Sequence, residues 1–181
     1  MLLYEYGGLY LDTDVIVLRQ IPTSWDNFVC VESKHLHHLA AGSIKFQQNH
    51  KVMRKVLENL AENFSGSVWN ANGPLVLEKV MREVCEEEDG GWWAGGGEKE
   101  GWSCGDVKIL RDDYFYPVHW RAWKSLFQRS EEKKVLQAHS GSYATHLWGH
   151  QSRGATVEQG SAVWQIARTH CPVAAGYAGI K

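Results

Sequence analysis

Asp12 and Asp14, separated only by Thr13, close the run Tyr6-Gly7-Gly8-Leu9-Tyr10-Leu11. In extended backbone, residues i and i+2 project to the same side, so both carboxylates face one ion while Thr13 points away. A hard divalent cation suits such an oxygen pair. Bound at the carboxyl end of a strand, where open α/β sheets take their ligands, it could neutralise a nucleotide diphosphate. Gly7 and Gly8 remove side-chain bulk just ahead of the pair. Two nearby acids are also the ordinary composition of a solvated turn, so D-x-D alone carries little. The whole phrase Y-G-G-x-Y-L-D-x-D is far more specific.

The elements that would hold these residues can be read from periodicity and punctuation. Residues 2–6 read as the end of a helix packed under a sheet, with Gly7 as its C-cap, and residues 9–11 as a short buried strand. Residues 15–18 form a second apolar run that Ile21-Pro22 stops. Residues 27–32, 42–46 and 107–110 read as further strands, and residues 142–148 as a buried one. Val52, Met53, Val56, Leu57, Leu60 and Phe64 recur at helical spacing opposite Lys51, Arg54, Lys55, Glu58 and Glu62, which predicts an amphipathic helix over 50–64. Pro74 suits the first turn of the next helix, whose apolar stripe is Val76, Leu77, Val80, Met81 and Val84. Residues 123–127, 133–137 and 161–169 are short helical candidates. Residues 86–105 begin acidic and pass through Gly90-Gly91-Trp92-Trp93-Ala94-Gly95-Gly96-Gly97, the composition of a surface insertion; the spacing is not that of a phosphate-binding glycine loop. No internal repeat or domain boundary stands out.

Composition narrows the function classes. A chain of 181 residues with 44% hydrophobic content is long enough for a real core. Its formal charge of −2, with basic residues scattered, leaves no electrostatic footprint for nucleic acid. No apolar run approaches the ~20 residues that span a bilayer, and Met1-Leu2-Leu3-Tyr4-Glu5 does not read as a signal peptide. The chain as written is therefore expected to be soluble and untargeted. Four cysteines allow three pairings. Cys30, within Phe28-Val29-Cys30-Val31, reads as a buried free thiol, and Cys171 stays unassigned. Asn63-Phe64-Ser65 is an N-glycosylation pattern that matters only in a secretory lumen.

With its glycines and tyrosines, the D-x-D phrase resembles the DXD-containing alpha-1,4-glycosyltransferase family. Further matches follow in family order: Asn72-Gly73-Pro74, Phe115-Tyr116-Pro117 with Trp120, Tyr143-Ala144-Thr145-His146-Leu147-Trp148, and Cys171-Pro172. The resemblance implies a GT-A-like α/β fold, incomplete because the first βα units would precede residue 1. The DXD portion then occupies residues 1–65 and the C-terminal portion residues 66–181. It implies a retaining hexosyltransferase, alpha-1,4-galactosyltransferase-like, that moves a hexose or N-acetylhexosamine from a UDP-sugar to a glycolipid or glycan acceptor in glycosphingolipid biosynthesis. Mn²⁺ is the implied cofactor, and the implied setting is the Golgi lumen, with membrane attachment only through an N-terminal anchor that this chain lacks.

Residue roles follow from the resemblance as well. Asp14 is the direct metal ligand, and Asp12 contacts the metal or the ribose. His146, a late histidine, is the third ligand, against the alternative of a satisfied core residue. Asn72 brings a carboxamide to the donor sugar or simply caps a helix. Gly8, Tyr10 and Gly73 border the donor. Phe115, Tyr116, Trp120 and Trp148 offer faces for sugar stacking or fill the core. Cys85 and Cys104 both have family counterparts, which favours a disulfide across the insertion. His35, His37 and His38 read as a surface loop, and His139, His150 and His170 remain unassigned. The chain departs from the family at Ala41 and Gly149, where asparagine is usual. The competing reading is a catalytically inactive remnant, a fragment that binds carbohydrate or metal without transferring sugar.

Overall fold

The computed structural model describes residues 1–33, 38–68, 70–89 and 101–180. His35, His37 and the glycine-tryptophan tract 90–97 lie outside the described residues. The chain divides into two compact units that interleave in sequence: Met1–Asp12 with Pro22–Asp112, and Thr13–Ile21 with Asp113–Lys181. No composition shift marks these crossings.

The first unit is built on a five-stranded sheet. Helix α1 (Leu2–Tyr6) leads into β1 (Gly8–Leu11), and β3 (Phe28–Ser33) and β4 (His38–Phe46) are followed by α2 (Lys51–Asn63) and α3 (Pro74–Asp89). Strands β5 (Trp102–Cys104) and β6 (Val107–Leu110) complete the sheet in the order β1-β4-β3-β6-β5. Only β3 and β6 run parallel; the other neighbours are antiparallel. Because β3 has neighbours on both sides, its run Phe28-Val29-Cys30-Val31 is buried throughout.

The helices do what their periodicity predicts. Val52, Met53 and Val56 of α2 and Val76, Leu77, Val80, Met81 and Val84 of α3 join Val29, Val31, Leu39, Phe46 and Ile109 in one core. His50 caps α2, its side chain accepting the Val52 N–H. Cys85 is joined to Cys104, which ties α3 to β5. Cys30 is a free, fully buried thiol, and burial pushes its pKa up, so it is inert.

Three expectations change. The segment before the acids is not a buried strand: Gly8, Leu9 and Tyr10 are exposed, because β1 is an edge strand paired only with β4. Helix α1 has no fully buried residue, although Leu3 and Tyr4 pack partly against the core. His38 lies in a strand rather than a loop; it opens β4 and sets its Nδ1 3.1 Å from the Glu78 carboxylate.

The second unit combines a two-stranded antiparallel ribbon with short helices. Strand β2 (Val15–Val17) pairs with β7 (Ala144–His146), with Val15 opposite His146. The predicted 142–148 strand is thus shortened to its centre. Helix α4 (Asp112–Phe115) stands at the crossing between the units, and a 3-10 helix at Trp120–Leu126 replaces the helix expected at 123–127. Helices α5 (Glu132–Ala138), α6 (Gly149–Ser152), α7 (Ala162–His170) and α8 (Pro172–Tyr177) complete the unit. Ser161 caps α7 by accepting the Trp164 N–H, as its position ahead of the apolar stripe suggests.

Candidate functional site

Asp12 and Asp14 are not held in extended backbone. Strand β1 ends at Leu11, and Thr13 and Asp14 form a turn. Asp12 is fixed from the first unit: its N–H donates to the Gly42 carbonyl at 2.8 Å, and its Oδ1 accepts from the Tyr10 hydroxyl at 2.7 Å. Tyr10 lies in β1 and Asp12 one residue past its end, close enough for the phenol to reach the carboxylate. Gly7, with φ of 66°, cannot carry a side chain, since a Cβ there would stand 2.6 Å from the Gln48 nitrogen. Gly8 has open space around it.

Within the second unit the β2–β7 pairing brings His146 to Asp14. The Asp14 carbonyl accepts the Leu147 N–H at 2.8 Å, and His146 Nε2 lies 3.4 Å from Asp14 Oδ1. The other carboxylate oxygen, Oδ2, accepts the Gly149 N–H at 2.6 Å. His146 Nδ1 accepts the Trp148 N–H at 3.0 Å, so in the neutral ring the proton sits on Nε2, towards Asp14. Both side chains are only partly exposed, at 27% for Asp14 and 11% for His146.

Aromatic rings wall this pair. Trp148 lies 4.5 Å from the His146 ring and Tyr116 lies 5.4 Å from it, measured between centroids. The Trp148 indole N–H donates to the Val118 carbonyl at 2.9 Å. Phe115, Tyr116 and Trp148 are buried, so they act as packing and not as open faces for sugar stacking; Trp120 is partly exposed.

The remaining expected residues have local duties. The Asn72 carboxamide does not cap α3: its Oδ1 accepts the Ser65 N–H at 2.9 Å and its Nδ2 donates to the Ser65 carbonyl at 2.6 Å. Gly73 has ordinary room, with a Cβ there 3.9 Å from the Ala41 Cβ. At Gly149 the departure from asparagine has a steric consequence, because a Cβ would stand 2.9 Å from Asp14 Oδ2. Sequence reasoning missed the roles of the Trp148 and Gly149 amides. Backbone donors leave no residue-type signal, although an unexpected glycine beside the predicted histidine was a usable hint.

Within the second unit, Asp14 and His146 offer carboxylate oxygen and imidazole nitrogen, donors that suit a cation of the Mg²⁺ or Mn²⁺ class. Ligation through His146 Nε2 requires the ring proton to move to Nδ1, which gives up the Trp148 N–H bond.

Comparison with known proteins places the chain in a family. The family model described as the alpha 1,4-glycosyltransferase conserved region matches residues 45–178. The chain belongs to the alpha-1,4-glycosyltransferase family. A second model, the glycosyltransferase sugar-binding region containing the DXD motif, matches residues 1–33 and so includes Asp12 and Asp14. The chain is 28% identical over 173 residues to lactosylceramide 4-alpha-galactosyltransferase of Mus musculus, covering 94% of this chain and 45% of the relative. It is 29% identical over 174 residues to the Homo sapiens alpha-1,4-N-acetylglucosaminyltransferase, covering 94% and 47%. The chain thus spans about half the length of the curated relatives it matches. No solved structure matches. No helix among the described residues is long and apolar enough to cross a membrane.

Proposed function

We propose that this family member forms the metal-binding and donor-binding part of a retaining alpha-1,4-glycosyltransferase of GT-A type. It transfers a hexose or N-acetylhexosamine from a UDP-sugar to a glycolipid or glycan acceptor, in the Golgi lumen. The observation that carries the proposal is the Asp14–His146 pair, held by the β2–β7 register in a chain whose DXD motif places Asp12 two residues from Asp14. Asp12, Asp14 and His146 are the proposed ligands. A bound Mn²⁺ would supply charge neutralisation for the departing diphosphate.

The chain's own residues supply orientation. Tyr10 holds the Asp12 carboxylate, Gly149 holds that of Asp14, and the Tyr116 and Trp148 rings pack against His146. The relatives' names, which specify alpha-linked transfer, support the retaining reading, since a UDP-hexose donor carries an alpha-linked leaving group and an alpha-linked product would then mean net retention. Positioning and electrostatics can drive such a transfer without a catalytic triad.

One observation favours a second reading, in which the pair is structural and the chain transfers nothing. The Trp148 N–H on His146 Nδ1 leaves the Nε2 proton directed at Asp14, a closed histidine–carboxylate contact. Thermal unfolding of the purified chain with UDP-galactose or UDP-N-acetylglucosamine, with and without Mn²⁺, separates the two. Donor binding predicts a metal-dependent rise in Tm that Asp14→Asn abolishes. The structural reading predicts no rise in the folded wild-type chain.

A further inference from the structure

We infer that Gly149 is a positioning residue for Asp14: its amide occupies Oδ2 and leaves Oδ1 as the single ligand oxygen. The inference rests on the reading of Asp14 as a metal ligand and adds how that side chain is oriented. Three contacts converge on Asp14 from the short segment 146–149. The Leu147 N–H holds its carbonyl at 2.8 Å, the Gly149 N–H holds Oδ2 at 2.6 Å, and His146 Nε2 faces Oδ1 at 3.4 Å.

Trp148 aims this turn. It adopts the left-handed conformation, φ 56° and ψ 49°, which a bulky residue rarely takes, and its buried indole is anchored on the Val118 carbonyl at 2.9 Å. That backbone directs the next amide, of Gly149, at the carboxylate. A hydrogen-bonded Oδ2 turns Oδ1 towards His146, so a cation shared by the two residues meets one carboxylate oxygen and not a chelating pair.

A side chain at this position meets Asp14. A Cβ on residue 149 would stand 2.9 Å from Asp14 Oδ2, 3.2 Å from its Cβ and 3.3 Å from its Cγ. Residue 149 has no positive φ, so alanine suits its backbone, and the three atoms nearest its Cβ all belong to Asp14. Gly149→Ala therefore pushes the Asp14 carboxylate off the amide, with a shift of a few tenths of an ångström at the Asp14 Cβ.

The test measures Mn²⁺ binding by electron paramagnetic resonance of the free ion, alongside urea unfolding in chelator, for wild type, Asp14→Asn and Gly149→Ala. Loss of the orienting contact predicts about 10- to 100-fold weaker Mn²⁺ binding in Gly149→Ala, the range typical of residues that orient a ligand. Its urea midpoint in chelator should fall only modestly, because the lost amide–carboxylate bond outweighs alanine's preference for helix while the rest of the fold is untouched. Wild-type affinity in Gly149→Ala, with Asp14→Asn impaired, overturns the positioning role alone. Failure of wild type to bind Mn²⁺ overturns the ligand reading and this inference with it. Should Gly149→Ala not fold, the Gly149 amide proton in metal-free wild type decides. A downfield resonance that returns to the ordinary range in Asp14→Asn supports the contact, and an unchanged resonance overturns it.

Discussion

His139 is a buried histidine outside the proposed ligand set, and its partners set a pH dependence. Its Nδ1 lies 2.6 Å from the Val135 carbonyl, an acceptor only, so Nδ1 carries the proton and Nε2 accepts from the Thr145 hydroxyl at 2.9 Å. Burial holds its pKa below the ordinary value, with the Val135 bond opposing in part. The folded state then binds fewer protons than the unfolded one below the unfolded pKa of about 6.5. This contribution to stability is intact above that pH, falls as pH drops through it, and levels off below the folded pKa. Urea midpoints between pH 8 and pH 5 should show the decline, and His139→Gln should flatten it. At this scale the Asp12–Asp14 pair stood out by type and spacing, whereas the contact of His146 with Asp14 did not, because an isolated histidine gives no sign of whether it ligates, caps or fills.

Among the connecting elements, Asn72 and the disulfide carry measurable consequences. Asn72 closes the link between α2 and α3 with two hydrogen bonds to the Ser65 backbone. Asn72→Ala should cost about 1–3 kcal/mol in chemical denaturation, the range for leaving partly buried backbone groups unpaired. Any loss of donor binding in this variant should then track its loss of stability. The Cys85–Cys104 bond spans a sequence separation of 19 and restrains the unfolded chain, so Cys104→Ser should lower stability by roughly 3 kcal/mol. Comparing urea midpoints of the variant and the wild type, each with and without reductant, checks this; reductant should move only the wild type.

Helices α2 and α3 were the most legible elements, since a 3.6-residue stripe reports a buried face directly. Strand β1 was misjudged because Leu9 and Tyr10 are apolar enough for a core position, yet the exposure of a strand depends on what covers it. The Ser142–Trp148 run was overextended for a related reason. Trp148 must leave the strand to turn its amide towards His146, and local composition does not encode that departure.

For the whole molecule, metal and donor are expected to be thermodynamically linked. If Mn²⁺ tightens UDP binding by some factor, saturating UDP must tighten Mn²⁺ binding by the same factor. Titration calorimetry of each ligand in the presence and absence of the other should give equal ratios, and Asp14→Asn should bring both towards unity. The order of motifs along the chain identified the family, the resemblance favoured the cysteine pair, and periodicity gave the amphipathic helices, because side-chain type and period are local quantities. Tertiary structure alone decided that β1 lies at a sheet edge, that the chain interleaves two units, and that β7 pairs with β2 to set His146 beside Asp14. Strand pairing is a contest among many apolar segments of similar propensity, settled by packing and chain closure far from each residue in sequence.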